Sequence, residues 1–328
     1  MNLSKYSTLI LFIFLAPISQ IKAQHESFPA WIPEVDSISI VSSVDGTAQP
    51  SLIFSPETDK AVPLLVGLHT WSGNFKQPLD APYAEWCKNN DWAFIHPNYR
   101  GPNSNPGSAG SDLVVADVID AVNYMKEYHA IDNSRIYLIG GSGGGYNALQ
   151  VVAKAPDIWT AVSVWVPISD MKAWYYDNIK AGSHYAQDQI SALGGAPGDN
   201  DVVDIQYIER SPIYWLQNAT GVPISIGAGI NDGHTGSVPI RHSLNAFNKL
   251  ANVNDRIPEE VIDFMVHEAM VPDSLSFSGQ DPDYPANKQP LFRRESDNVT
   301  ITIFEGAHDI LFETGLRWLS TQEKGQER

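Results

Sequence analysis

The sequence predicts an open, mostly parallel α/β sheet with helices on both faces. Short runs of apolar and β-branched residues alternate with stretches of helical period. Some runs, such as Leu64-Leu65-Val66-Gly67-Leu68, are apolar at every position, as strands covered on both faces must be. The chain has 328 residues, 43% hydrophobic and 18% charged, which suits one large domain with inserts.

Taken in order, residues 1–23 read as a signal peptide. Lys5 supplies a short positive region, 9–16 form an apolar stretch too short to span a bilayer, and Ala23 precedes a cut at Gln24. The competing reading is an uncleaved anchor, which the short apolar run disfavours. No cysteine lies near the cut to carry a lipid. No other segment approaches ~18 consecutive apolar residues. The expectation is an exported protein, periplasmic or secreted, with no stable membrane insertion after cleavage.

Residues 24–328 form the remaining unit. Eight strands are expected, at 37–42, 50–54, 64–69, 92–96, 135–139, 161–166, 223–228 and 299–304. A helix is expected over 112–129, because Val114, Val115, Val118, Ile119, Val122 and Met125 recur at three- and four-residue steps. Ser111 or Asp112 is its natural N-cap. Two inserts break the rhythm. Residues 168–221 read as loop-rich and aromatic. Residues 254–294 hold a short helix over 258–269 and then a Pro- and Asp-rich run. Long connections of this kind serve as lids or binding loops.

Composition narrows the function classes. Cys87 is the only cysteine, so an intramolecular disulfide is excluded. It lies in a helical-looking stretch and reads as a small core residue. The net charge is −17, and two units more negative once Lys5 and Lys22 leave with the leader. A chain this acidic is not expected to bind nucleic acid or anionic membrane surfaces.

The chemistry-bearing motif is Gly140-Gly141-Ser142-Gly143-Gly144-Gly145. It stands between an apolar strand and a helical stretch, the context in which G-x-S-x-G forms a nucleophile elbow. Side chains beside a serine on such a strained turn would collide with the flanking strand and helix. A serine hydroxyl needs a base to take its proton and an acid to orient that base. In the α/β-hydrolase fold these follow in the order Ser, Asp/Glu, His. His308, in Glu305-Gly306-Ala307-His308, is the one histidine after the last strand and is the expected base. Asp232, after the strand at 223–228, is the expected acid. Asp170 follows an earlier strand, and Asp309 adjoins His308 in the chain, where neighbours rarely face each other. The oxyanion hole is expected to use the Gly143 N–H and a second N–H from Thr70 or Trp71, in the loop after 64–69.

Other motifs are weaker. Asp232, His234 and His242 lack the spacing of a metal site, and the glycine run lacks the G-K-[ST] of a phosphate loop and the dinucleotide register. No metal and no cofactor are expected. Trp174, Tyr175 and Tyr176 either line a substrate pocket as an apolar or sugar-stacking wall or pack the core of their own insert.

Several separated motifs together resemble the prolyl-oligopeptidase-like branch of the α/β-hydrolases, over roughly residues 63–318. They are Asn98-Tyr99-Arg100-Gly101 followed by Gly110 and Asp117-Val118-Ile119-Asp120-Ala121-Val122, the glycine-rich elbow, Arg210-Ser211-Pro212 with Val222-Pro223-Ile224, Asp232 with Val238-Pro239 and Ser243, and Gly306-Ala307-His308. The resemblance implies the hydrolase fold and the Ser142, Asp232 and His308 triad. There are departures. The sequence after the leader has no room for the N-terminal β-propeller of true oligopeptidases. Thr70-Trp71 stands where relatives usually have Gly-Gly. Five residues separate Asp232 from Val238-Pro239, and the 254–294 insert lengthens the way to His308. Propeller-less relatives are often esterases, some acting on acetyl or feruloyl groups of polysaccharides.

The resulting expectation is a serine hydrolase that cleaves carboxylic esters of small molecules or carbohydrates through an acyl-enzyme. A peptidase of short peptides with the same machinery is the first rival. A non-catalytic binding protein on the same fold is the second.

Overall fold

The computed structural model describes residues 30–324, so the leader reading at 1–23 lies outside the described residues. In chain order the strands are β1 (Asp36–Val41), β2 (Ala48–Phe54), β3 (Val62–Leu68), β4 (Ala93–Pro97), β5 (Ile131–Gly141), β6 (Ala161–Trp165), β7 (Ile224–Gly229), β8 (Pro290–Ser296) and β9 (Val299–Phe304). They make one sheet in the order β1-β2-β4-β3-β5-β6-β7-β9-β8. The central strands β4, β3, β5, β6, β7 and β9 run parallel. β1, β2 and β8 join antiparallel at the two sides. Every residue of β3 is buried, as its unbroken apolar run requires.

The eight expected strands are all present, and β8 is a ninth. It begins inside the second insert. Its Arg293, Arg294 and Glu295 hide the strand pattern, and they sit at an edge with one neighbour, where charges are tolerated and discourage further pairing. Arg293 Nη2 donates to Asp281 Oδ2 at 2.7 Å, and Arg293 Nε donates to Thr302 Oγ1 at 3.1 Å.

The helices are α1 (Ala81–Asn89), α2 (Asp112–Tyr128), α3 (Gly143–Lys154), α4 (Met171–Ala181), α5 (Tyr185–Leu193), α6 (Asp201–Glu209), α7 (Arg241–Leu250), α8 (Glu259–Glu268) and α9 (Phe312–Ser320). α2, α3 and α7 bury Val118, Leu149 and Phe247 in the core on one face of the sheet. α1 and α9 bury Tyr83, Cys87, Leu316 and Leu319 in the core on the other. The expected helix over 112–129 is α2, and Ser111 Oγ caps it by accepting from Val114 N at 3.3 Å. Arg100 and Asp117, from separate parts of the first motif run, form a two-pronged ion pair at 2.6 and 2.9 Å that ties the loop after β4 to α2.

The first insert differs from its loop-rich expectation. It folds as α4, α5 and α6, with a shared core of Trp174, Tyr175, Leu193 and Tyr207. Its polar and glycine residues, which read as loop punctuation, are helix ends. Asp170 accepts from Lys172 N and Ala173 N to start α4. Asn200 does the same for α6. Gly182 and Gly194, at φ 65 and 88°, close α4 and α5. The expected helix of the second insert is α8.

Two residues beneath the sheet's carboxyl edge carry stability predictions. A Cβ on Gly140 would lie 2.5 Å from the Gly144 carbonyl, where β5 meets α3. Gly140→Ala is expected to cost about 2 kcal/mol and to lower the melting midpoint by roughly 3 °C. An unchanged midpoint would mean that α3 can back away. His69 is fully buried after β3 and stacks on Tyr99 at 4.1 Å. Burial lowers its pKa to about 4, outweighing the Thr70 and Asn98 carbonyls at 2.9 and 3.0 Å, which favour the protonated ring. The unfolded ring titrates near ~6.5, so the unfolded state binds the extra proton first as pH falls. Stability is therefore expected to drop by roughly 3 kcal/mol between pH 6.5 and 4 from this group. Denaturant titrations of wild type and His69→Asn across that range check this, and equal slopes would assign the loss elsewhere.

Candidate active site

Ser142 occupies the turn from β5 into α3 with φ 55° and ψ −121°, a conformation that strains any residue with a side chain. Both its backbone groups are held. Its N–H donates to the Trp165 carbonyl at 2.8 Å, and its own carbonyl accepts from Tyr146 N at 2.9 Å. The result is a half-buried hydroxyl standing at the carboxyl edge of the sheet.

Because the central strands are parallel, the loops after β7 and β9 reach the same edge. The structure brings Ser142, His308 and Asp232 together in line. His308 Nε2 lies 2.8 Å from Ser142 Oγ, and His308 Nδ1 lies 2.7 Å from Asp232 Oδ2. Asp232 is 2% exposed, and its other oxygen accepts from Val238 N at 3.1 Å. Its carboxylate is therefore desolvated, hydrogen-bonded and aimed at the ring. Nδ1 beside the carboxylate fixes Nε2 as the atom facing the serine. Among the described residues no group of three His, Cys, Asp or Glu side chains could hold a metal ion.

The rival acids have other partners. Asp170 caps α4. Asp309 faces Lys288 Nζ at 2.6 Å and accepts from Ala307 N at 2.8 Å. Burial pushes its carboxyl up, but these two partners outweigh that and hold it below the usual range. Other histidines are committed too. His96 is buried against Asp80 at 3.1 Å, and His242 Nδ1 accepts from Ser169 N at 3.3 Å.

Of the two expected residues in the loop after β3, Trp71 lies against Gly143. A Cβ on Gly143 would run into the Trp71 backbone nitrogen and Cα, so glycine alone permits this approach. Trp71 N and the first amide of α3 are thus neighbours beside Ser142. The Thr70 hydroxyl donates to Gln77 Oε1 at 2.7 Å. Gln77 Nε2 in turn donates to Asp80 Oδ2 at 2.8 Å, which anchors the loop against the buried Asp80–His96 pair.

The three aromatic candidates separate. Trp174 is buried, meets Trp71 edge-on at 4.7 Å, and donates from Nε1 to the Ser237 carbonyl at 2.9 Å. Tyr175 is buried among the helices of the first insert, edge-on to Tyr207 at 6.1 Å. Tyr176 is 51% exposed on the outer face of α4.

Four residues near the site escaped the sequence reading. Ser237 Oγ lies 3.5 Å from His308 Nε2. Asp188 accepts from Trp71 Nε1 at 3.1 Å. Asn103 and Asn147 are fully buried and bridge Trp71 to Gly143. Asn103 lies in Pro102-Asn103-Ser104-Asn105, which reads as a turn, so no local signal marked it. The signal for Asn147 was that it is one of two polar residues, with Gln150, in an otherwise apolar stretch of α3.

Comparison with known proteins agrees with this fold. Acylamino-acid-releasing enzyme 1 of Oryza sativa subsp. japonica is 26% identical over 220 residues, covering 60% of this chain and 26% of that one. Feruloyl esterase B of Thermothelomyces thermophilus is 26% identical over 124 residues, covering 34% of this chain and 42% of that one. The chain thus spans well under half the length of these curated relatives. The solved Pyrococcus horikoshii acylaminoacyl peptidase, in its orthorhombic crystal form, superposes with a TM-score of 0.60 at 15% identity, over 90% of this chain and 42% of that one. That likeness establishes the α/β-hydrolase fold. The sequence model of the prolyl oligopeptidase family matches residues 84–267, more than half of the chain and inclusive of Ser142 and Asp232. The chain belongs to the prolyl oligopeptidase family.

Proposed function

We propose that the protein is an exported serine hydrolase that cleaves carboxylic esters, with acyl groups on carbohydrates as the substrate class. The observation that carries the reading is the Ser142–His308–Asp232 line, with contacts of 2.8 and 2.7 Å. Ser142 Oγ attacks the ester carbonyl carbon while its proton passes to His308 Nε2. The carbonyl electron pair moves onto oxygen, and the N–H groups of Gly143 and Trp71 receive that oxyanion. Asp232 stabilises the imidazolium through Nδ1. Collapse expels the leaving oxygen, which takes the proton from Nε2 and leaves an acyl-enzyme on Ser142. Water then gives a proton to Nε2 and attacks the acyl carbon. Collapse releases the acid and returns the proton to Ser142 Oγ.

Ester preference is supported by the similarity to feruloyl esterase B and by the aromatic insert over the oxyanion loop. A peptidase of short peptides is the second reading, favoured by the family and by similarity to acylamino-acid-releasing enzymes. Export rests on residues 1–23, read from sequence.

Ser142→Ala is expected to lower ester turnover by on the order of 10⁴-fold or more and to abolish fluorophosphonate labelling, with the melting midpoint near wild type. Retained turnover would sink the nucleophile assignment, and an unlabelled wild type would favour a binding protein. Gly143→Ala is expected to cost about 10²- to 10³-fold in kcat, because its methyl group displaces the Trp71 amide. Aryl and sugar-acetyl esters assayed beside N-acylaminoacyl and aminoacyl-prolyl amides separate the two hydrolase readings; faster amide cleavage would select the peptidase. Intact mass of the exported product should correspond to a chain beginning at Gln24.

A further inference from the structure

We propose that Asn103 and Asn147 are positioning residues that set the spacing of the two oxyanion-binding amides. The proposal rests on the hydrolase reading above. Trp71 lies on the loop after β3 and Gly143 on the turn after β5, so the covalent chain does not fix the distance between them. The direct contact between them is a close approach of backbone atoms, which resists compression but does not hold them together.

The pairing of β3 with β5 brings the two segments close but ends at Leu68 with Gly140, and past that point the two asparagines supply the hold. Asn103 donates to the Trp71 carbonyl twice, from its backbone N at 2.8 Å and from Nδ2 at 3.3 Å. Asn147 Nδ2 donates to the Gly143 carbonyl at 2.9 Å and to Asn103 Oδ1 at 3.1 Å. One amide pair therefore joins the two residues whose N–H groups face the oxyanion. The pair is itself fixed by the intervening loop. Ala109 N donates to Asn103 Oδ1 at 2.9 Å, and Gly110 N donates to Asn147 Oδ1 at 3.0 Å.

Both side chains are 0% exposed and lie among Trp71, Ala109 and Tyr146. An apolar pair would fill this space without the cost of burying amides. What it could not supply is direction. A satisfied polar network in low dielectric holds its members to one geometry, and oxyanion donors are useful only within a few tenths of an ångström of their position. Neither asparagine touches Ser142 Oγ, His308 or Asp232 through any hydrogen bond of the described residues. Their effect passes through the Trp71 and Gly143 amides.

The test pairs an ester with its thionoester, in which sulfur replaces the carbonyl oxygen and accepts hydrogen bonds weakly. Asn147→Leu and Asn103→Ala are compared with Met125→Ala, a buried α2 truncation away from the site that controls for lost stability. The clamp predicts that Asn147→Leu lowers kcat on the ester by roughly 10- to 100-fold with KM within about twofold. The ester-to-thionoester rate ratio should fall by a similar factor, and the pH profile should keep its midpoints. Asn103→Ala, which retains its backbone bond to Trp71, should show the same pattern with a smaller loss, and it serves alone if Asn147→Leu does not fold. Met125→Ala should leave the ratio unchanged. Equal losses on ester and thionoester, or an unchanged kcat, would overturn the clamp while the wild-type reading stands. No ester turnover by the wild type would overturn the ester reading, and the clamp with it.

Discussion

The rest of the site depends on the backbone of Ser142. At φ 55° and ψ −121° it occupies a region that costs roughly 1–3 kcal/mol for a residue with a side chain. The strain persists because both ends are held by elements that cannot shift separately. The N–H is bonded to Trp165 at the end of β6, and the carbonyl to Tyr146 in the first turn of α3. β5 is flanked by β3 and β6 in parallel register, with five residues paired on the β6 side. Moving the serine would mean breaking the centre of the sheet. The same turn directs the first amides of α3 at the space beside the hydroxyl, so one constraint presents both the Ser142 hydroxyl and the Gly143 N–H.

Trp71 links that edge to the first insert. Its backbone faces Gly143, while its indole points into the shared core of α4 and α5, bonded to Asp188 and packed on Trp174. Trp174 then reaches the Ser237 carbonyl on the loop that carries Asp232. The insert thus grips this edge from two sides, through the loop of Trp71 and through the loop of Asp232. A lid that swung freely would strip both contacts and expose several large aromatic rings to water. The three helices therefore pack as a wall along the edge that holds Ser142.

The sheet was legible in the sequence because its central strands are buried on both faces and read as unbroken apolar runs. The convergence of Ser142, His308 and Asp232 was legible because parallel strands end on one edge, so chain order translates into proximity there. Other parts were hidden for physical reasons. β8 carries the charges that an edge strand tolerates, which erased its pattern. α4, α5 and α6 are short, and the Asp, Asn and Gly residues that cap them are also the residues of loops. That Trp71 lies against Gly143 is a backbone contact that no local pattern encodes. Asn103 and Asn147 lie far apart in the chain, and their hydrogen bond exists only once the fold buries both in contact.

Chain length between Asp232 and His308 is a poor guide to their contact, and the sheet shows why. β7 and β9 pair from Ile224 with Val299 through Gly229 with Phe304. Asp232 comes three residues after Gly229, and His308 four after Phe304, so the register of one parallel ladder sets the reach of each loop. Everything between the two strands, including α7, α8 and β8, connects them without entering that ladder. β8 adds on the far side of β9, where an extra antiparallel strand displaces nothing. An insert at 254–294 can therefore lengthen the chain while His308 stays opposite Asp232. The Asp232–His308 contact depends on strand register, and register in a sheet buried on both faces is strongly specified by which residues must face the core.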